Sequence, residues 1–94
     1  MKDNVSIIQS QLSEPILLEM LAEECSELCK SALKKSRVIR AENYTPLTYK
    51  EAQENLVEEF SDLILCAKVL NLVEDDEIIN YKLNRWVKRL EGSE

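Results

Sequence analysis

Histidine is the most informative absence in this chain, because none of the 94 residues is a histidine. Without it the sequence cannot supply the Glu-x-x-His pairs of di-iron bundles, a His-ligated zinc site or a Ser-His-Asp triad. Helix-breaking residues are also scarce, with one Gly and two Pro. Their scarcity favours long uninterrupted helices over a strand-and-turn fold. The sequence therefore predicts an all-α chain without histidine chemistry.

Long apolar runs and a secretory signal are missing as well. No segment approaches the ~18 consecutive apolar residues of a membrane span, and the first residues lack a basic start followed by an apolar stretch. We expect a cytoplasmic protein with no membrane partner. The three cysteines, Cys25, Cys29 and Cys66, are odd in number and lie among apolar residues. That pattern is typical of reduced core residues and not of a disulfide framework.

Positive charge is in short supply, with 12 Lys and Arg against 18 Asp and Glu and a formal net charge of -6. This balance repels a polyanion, so we expect no nucleic-acid partner. A small anionic ligand is still compatible with it, because a bound divalent cation reverses the local field.

The length of the chain limits its stability. Residues 1–94 are expected to form a single domain. A folded monomer of this size buries only roughly 60 to 65 % of its surface. We therefore expect a helical bundle that completes its core by oligomerising.

Local signals divide the chain into helices. Helices are predicted over residues 3–12, 14–40, 49–70 and from 75 to about 90, with a loop at 41–47 and a break at 71–74. Ser13 is a candidate N-cap, and Pro15 suits the first turn of the long helix that follows. Thr48 with Glu51 forms a capping-box signature at the start of the second long helix. Gly92 marks the end of the last helix. The short leading helix is expected to dock its apolar side on the body.

Apolar residues recur at helical spacing along both long helices, which predicts a core-facing stripe on each. The stripe of the first consists of Leu17, Leu21, Leu28 and Ala32, widened by Leu18, Cys25 and Cys29. The stripe of the second consists of Ala52, Leu56, Phe60, Leu63, Ala67 and Leu70. We expect the two long helices to pack antiparallel.

Acidic residues are concentrated in the middle of both long helices. The first carries Glu23-Glu24-Cys25-Ser26-Glu27 and the second Glu58-Glu59-Phe60-Ser61-Asp62. Acids three or four positions apart are neighbours on a helix, and each like-charge pair costs roughly 0.2 to 0.5 kcal/mol. Such clustering indicates that a bound cation compensates the repulsion between the acids.

In an antiparallel pair the two groups face each other, so four carboxylates converge. An all-oxygen site of this kind suits Mg²⁺ or Mn²⁺. The alternative is that the acids are solvated and pair with Lys30, Lys34 or Lys68.

The two acidic groups also resemble a family pattern. Glu23-Glu24-x-x-Glu27 followed by Glu59-x-x-Asp62 is similar to the E-E-x-x-E and E-x-x-D pattern of the MazG-like, all-α nucleoside triphosphate pyrophosphohydrolases. A leucine follows each half, as in that family. The resemblance extends from about residue 17 to about residue 89. It implies a MazG-like helical bundle with two long antiparallel helices and shorter N- and C-terminal helices.

The resemblance further implies a role for each acid. Metal ligands would be Glu24, Glu27, Glu59 and Asp62. Glu23 and Glu27 would act on the attacking water, and Glu58 would assist the metal or the water.

The last helix would hold phosphates through Lys82, Asn84 and Arg85, whose other interpretation is a solvated helix face. The base pocket would contain apolar and aromatic residues of the N-terminal segment and of a neighbouring subunit. The resemblance also implies a homodimer or homotetramer.

The activity implied is Mg²⁺-dependent hydrolysis of a ribo- or deoxynucleoside triphosphate to the monophosphate and pyrophosphate, as nucleotide-pool housekeeping. Two alternatives stay open at this point. One is a non-catalytic acidic helical module that binds a basic partner, and the other is a metal-binding regulator of the same fold without turnover.

Overall fold

The computed structural model describes residues 3–41 and 46–92, and helices make up most of that part. They are α1 (Asn4–Gln11), α2 (Glu14–Arg40), α3 (Tyr49–Val69) and α4 (Asp76–Leu90). No strand occurs within the described ranges, so the all-α prediction is confirmed. The predicted helix bounds are also confirmed to within one or two residues. Residues 42–45 of the predicted loop lie outside the described residues.

The short helix α1 docks on the body as the sequence predicts. Asp3 caps it, since the backbone N–H of Ser6 donates to the Asp3 carboxylate at 2.8 Å. The Gln9 side chain donates to the carbonyl of Val69 at 2.8 Å, which fixes α1 against the end of α3. Val5 and Ile8 on its inner side are half-buried.

Helices α2 and α3 form an antiparallel hairpin. Lys35, late in α2, donates to the Gln53 side chain early in α3, and its ammonium lies 5.0 Å from the centre of the Tyr49 ring. At the other end, Leu17 of α2 and Val69 of α3 line one cleft. The middle of α2 therefore lies opposite the middle of α3.

The residues along the line of contact between these helices are spaced alternately by three and four positions. This spacing is typical of two packed helices. On α2 the buried and half-buried residues of this line are Leu17, Leu21, Glu24, Leu28, Ser31, Lys35 and Val38, and on α3 they are Ala52, Leu56, Glu59, Leu63, Cys66 and Leu70. Both lines contain a glutamate, which places Glu24 and Glu59 at the contact instead of on a solvated face.

Part of the predicted core stripe is wrong. Leu18, Cys25, Cys29 and Ala32 of α2 are exposed in the single chain, and Phe60 of α3 is 51 % exposed. The four α2 residues each follow a residue of the contact line by one position, so they lie about 100° around the helix. A helix with one long neighbour can bury only one of its two apolar faces.

Both ends of α3 are fixed by local hydrogen bonds. The capping box is confirmed, because Glu51 N–H donates to the Thr48 hydroxyl at 3.1 Å and Thr48 N–H donates to the Glu51 carboxylate at 3.0 Å. After Leu70, Asn71 adopts φ 58° and ends the helix. The N–H of Leu72 then donates to the Ala67 carbonyl at 2.9 Å, as in a Schellman motif.

Helix α4 begins at an N-cap, where the N–H of Ile78 donates to the Asp75 carboxylate at 3.1 Å. It ends at Leu90, and Gly92, whose φ is 72°, follows the C-cap Glu91. Every residue of α4 is exposed. Helical periodicity places five of its apolar residues on one face, namely Ile79, Leu83, Trp86, Val87 and Leu90, and its four cations, with Ile78 and Tyr81, on the other side.

No helix among the described residues has both the length and the apolar character required to cross a bilayer.

Candidate functional site

Three carboxylates meet where the middles of α2 and α3 touch. Glu24 comes from α2, and Glu59 and Asp62 come from successive turns of α3. One carboxylate oxygen of each lies within 4.8 Å of the other two, and all three residues are half-buried. We call these three residues the acidic triad.

The antiparallel contact explains this convergence. Glu24 lies between Leu21 and Leu28 on the contact line of α2, and Glu59 lies between Leu56 and Leu63 on that of α3. The apolar residues that pack along the two contact lines therefore hold the two acids against each other. Asp62 lies one turn beyond Glu59 and reaches the same point.

The other predicted acids surround the triad without joining it. Glu27 is exposed, and its carboxylate lies 3.5 Å from the ammonium of Lys30. Glu23 and Glu58 are exposed as well. The structure thus brings together three of the four predicted metal ligands, with Glu27 one turn away on α2.

The triad carries an electrostatic cost. Partial burial raises the pKa of Glu59 above its ordinary value, and the nearby charges of Asp62, Glu27, Glu24 and Glu58 raise this pKa further. Because the carboxylates repel one another and Glu59 is partly desolvated, the neutral form of Glu59 is favoured. A bound cation would reverse this preference.

The donor set fits a small hard cation. All three donors are oxygens, as Mg²⁺ and Mn²⁺ prefer. Octahedral Mg²⁺ with ligands at 2.0 to 2.1 Å places those ligands roughly 3 to 4 Å apart. The triad oxygens lie within 4.8 Å of one another, which is close to that spacing.

A cleft of about 270 Å³ opens beside the acids, between α2 and α3. Two acids from the site form part of its wall, Glu27 and Glu59. The other described residues that line it are Lys30, Ser31, Lys34, Leu47, Ala52 and Asn55. A ligand in this cleft would thus contact both the acids and two lysines.

The predicted phosphate-binding residues lie elsewhere in the chain. Lys82, Asn84 and Arg85 are exposed on α4, and none of them lines the cleft. Lys82 and Arg85, three residues apart, share one side of α4, whereas Asn84 lies on another. The structure of the single chain does not bring them to the acidic triad.

Sequence reasoning missed several residues that border the site. Ser31 and Lys34 follow Glu27 by four and seven residues, so helical spacing could have indicated their common face. Asn55 precedes Glu59 by four residues in the same way. Cys66 also adjoins the site. Burial and the nearby charges of Glu24 and Asp62 raise the pKa of its thiol.

Comparison with protein-family models, with curated proteins and with solved structures gave no match for this chain. The resemblance to the MazG-like enzymes therefore depends on the acid pattern alone.

Proposed function

We propose that this protein is a MazG-like nucleoside triphosphate pyrophosphohydrolase that uses Mg²⁺, or Mn²⁺, held by Glu24, Glu27, Glu59 and Asp62. The observation that supports this proposal is the convergence of Glu24, Glu59 and Asp62 at the α2–α3 contact. Half-buried acids that repel each other are an expensive arrangement for a purely structural role. A cation-dependent activity gives that arrangement a function.

In this proposal the chain positions the substrate and the water. When bound, Mg²⁺ neutralises phosphate charge and makes water more acidic. Glu23 and Glu27 orient and deprotonate the water that attacks the α-phosphorus, with Glu58 assisting. The products are a nucleoside monophosphate and pyrophosphate, and the role is cytoplasmic nucleotide-pool housekeeping. Lys82, Asn84 and Arg85 remain the phosphate-binding residues that the resemblance implies.

We also propose that the active form is a homodimer or homotetramer. The chain exposes 7829 Å², whereas a folded monomer of its mass, 10.9 kDa, exposes about 5,600 Å² by the usual scaling. The excess is about 2,200 Å² per chain, which is in the range that obligate dimers bury. Exposed apolar faces on α2, α3 and α4 supply this surface.

The test is release of pyrophosphate from a panel of ribo- and deoxynucleoside triphosphates, with and without Mg²⁺. Glu24→Ala and Asp62→Ala are each expected to lower kcat/KM about a hundredfold or more, because loss of a metal ligand costs at least as much as loss of its supporting residues. Glu19→Ala, which removes an exposed acid of α2 outside the site, is the matched control.

Two outcomes would contradict the proposal. Calorimetric Mg²⁺ binding without turnover of any triphosphate would favour the metal-binding regulator. Neither binding nor turnover would favour the acidic interaction module.

A further inference from the structure

We propose that the cleft between α2 and α3 receives the two terminal phosphates of the substrate, and therefore the pyrophosphate product, with Lys34 as the principal cation. This inference rests on the proposed function, because it concerns the leaving group of that reaction. It assigns to α2 a phosphate-binding role that the sequence pattern placed only on α4.

The position of the cleft supports this assignment. Glu27 and Glu59 lie in its wall, so a chain of phosphates whose first phosphorus sits at the acids can continue directly into it. The lysines of that wall, Lys30 and Lys34, follow Glu27 by one and two turns of α2. Side chains of a helix lean toward its N-terminus, so both ammonium groups lean back toward the acids.

Lys34 is the lysine with free binding capacity. Lys30 is within 3.5 Å of the Glu27 carboxylate, and Lys35 is bonded to Gln53 and lies over Tyr49. By contrast, Lys34 is exposed and forms no hydrogen bond or ion pair with the part of the chain that the structure describes. A point charge of this kind is well suited to a phosphate.

The chemistry of the lining favours phosphates over the nucleoside. Ser31 and Asn55 offer hydrogen-bond donors, while Leu47 and Ala52 are the apolar residues among the described lining residues. None of the described lining residues is aromatic, and the donors among them suit a phosphate better than a base. Pyrophosphate, which carries several negative charges, matches the two lysines.

The experiment measures binding of pyrophosphate in the presence of Mg²⁺ by titration calorimetry, and its inhibition of turnover. Lys34→Met keeps the aliphatic stem and removes the charge, and we expect it to weaken both by about tenfold, as for loss of one charge-assisted contact. Lys34→Arg should restore most of the affinity. The control, Lys68→Met, removes an exposed lysine of α3 that does not line the cleft.

The outcomes separate the two proposals. Unchanged pyrophosphate affinity in Lys34→Met would overturn the assignment of the cleft even if the wild type hydrolyses triphosphates. A change in base preference at unchanged pyrophosphate affinity would overturn it too, and would assign the cleft to the nucleoside. Lys34-dependent pyrophosphate binding without turnover would support the cleft as a phosphate site and would contradict only the proposed hydrolysis.

Discussion

At the scale of single residues, Glu59 shows most clearly the electrostatic cost of the proposed metal site. It occupies an apolar contact line, and its partial burial together with four nearby carboxylates raises its pKa. Its ionised form is therefore less favourable in the folded chain than in the unfolded one, so this residue opposes folding at neutral pH when no cation is present. The same arrangement becomes favourable once a divalent cation is bound.

Replacing Glu59 with glutamine should therefore have opposite effects with and without metal. In EDTA at pH 7, Glu59→Gln is expected to melt at a higher temperature than the wild type, because it removes the repelled charge. Added Mg²⁺ should raise the melting temperature of the wild type and leave that of Glu59→Gln nearly unchanged. Thermal unfolding followed by circular dichroism measures both.

The pH dependence supplies the control. A raised pKa means that the folded state binds the proton more tightly, so the destabilisation by Glu59 is present at neutral pH and disappears as the pH falls through that raised pKa, toward the ordinary value of 4.5. The difference between wild type and Glu59→Gln should vanish over the same window. Glu19→Gln, at an exposed position, should show no such difference. A constant difference at every pH would rule out the electrostatic explanation.

At the scale of helices, local chemistry set the ends and left the faces undetermined. Thr48 and Glu51 form the predicted capping box because both partners lie within one turn. The buried face of α2 depends instead on where α3 packs. Leu18 and Cys25 belong to a second apolar face, which lies about 100° around the helix from the face of Leu17. Residue spacing alone does not show which of the two faces is buried. Three of the four acids that were expected to converge are neighbours, because Glu24 and Glu59 lie near the middles of antiparallel helices.

The capping box makes a quantitative prediction for α3. Thr48→Ala removes the acceptor of the Glu51 N–H and should lower the free energy of unfolding by about 1 kcal/mol. Thr48→Ser retains the hydroxyl and should lose much less. Urea denaturation of the two variants beside the wild type measures the difference. Equal loss in both variants would show that the methyl group and not the cap stabilises this end.

At the scale of the whole molecule, the single chain is open for its length. Its radius of gyration is 17.5 Å, whereas a compact chain of this length has about 12 Å. Helix α4 accounts for much of this openness, since all of its residues are exposed. No local signal in the sequence says what α4 packs against, because the residues of a packing partner lie outside the helix itself.

The apolar face of α4 should therefore be buried in the proposed oligomer. Trp86, which is 63 % exposed in the single chain, lies on that face between Leu83 and Leu90. Trp86→Gln is expected to weaken self-association by about 2 kcal/mol or more, which is about thirtyfold in Kd. Lys88→Gln alters the opposite side of the same helix and is the matched control. Sedimentation equilibrium over a range of concentrations measures the association. If Trp86→Gln and the wild type associate equally, the subunits meet through the exposed faces of α2 and α3, and α4 has no part in the interface.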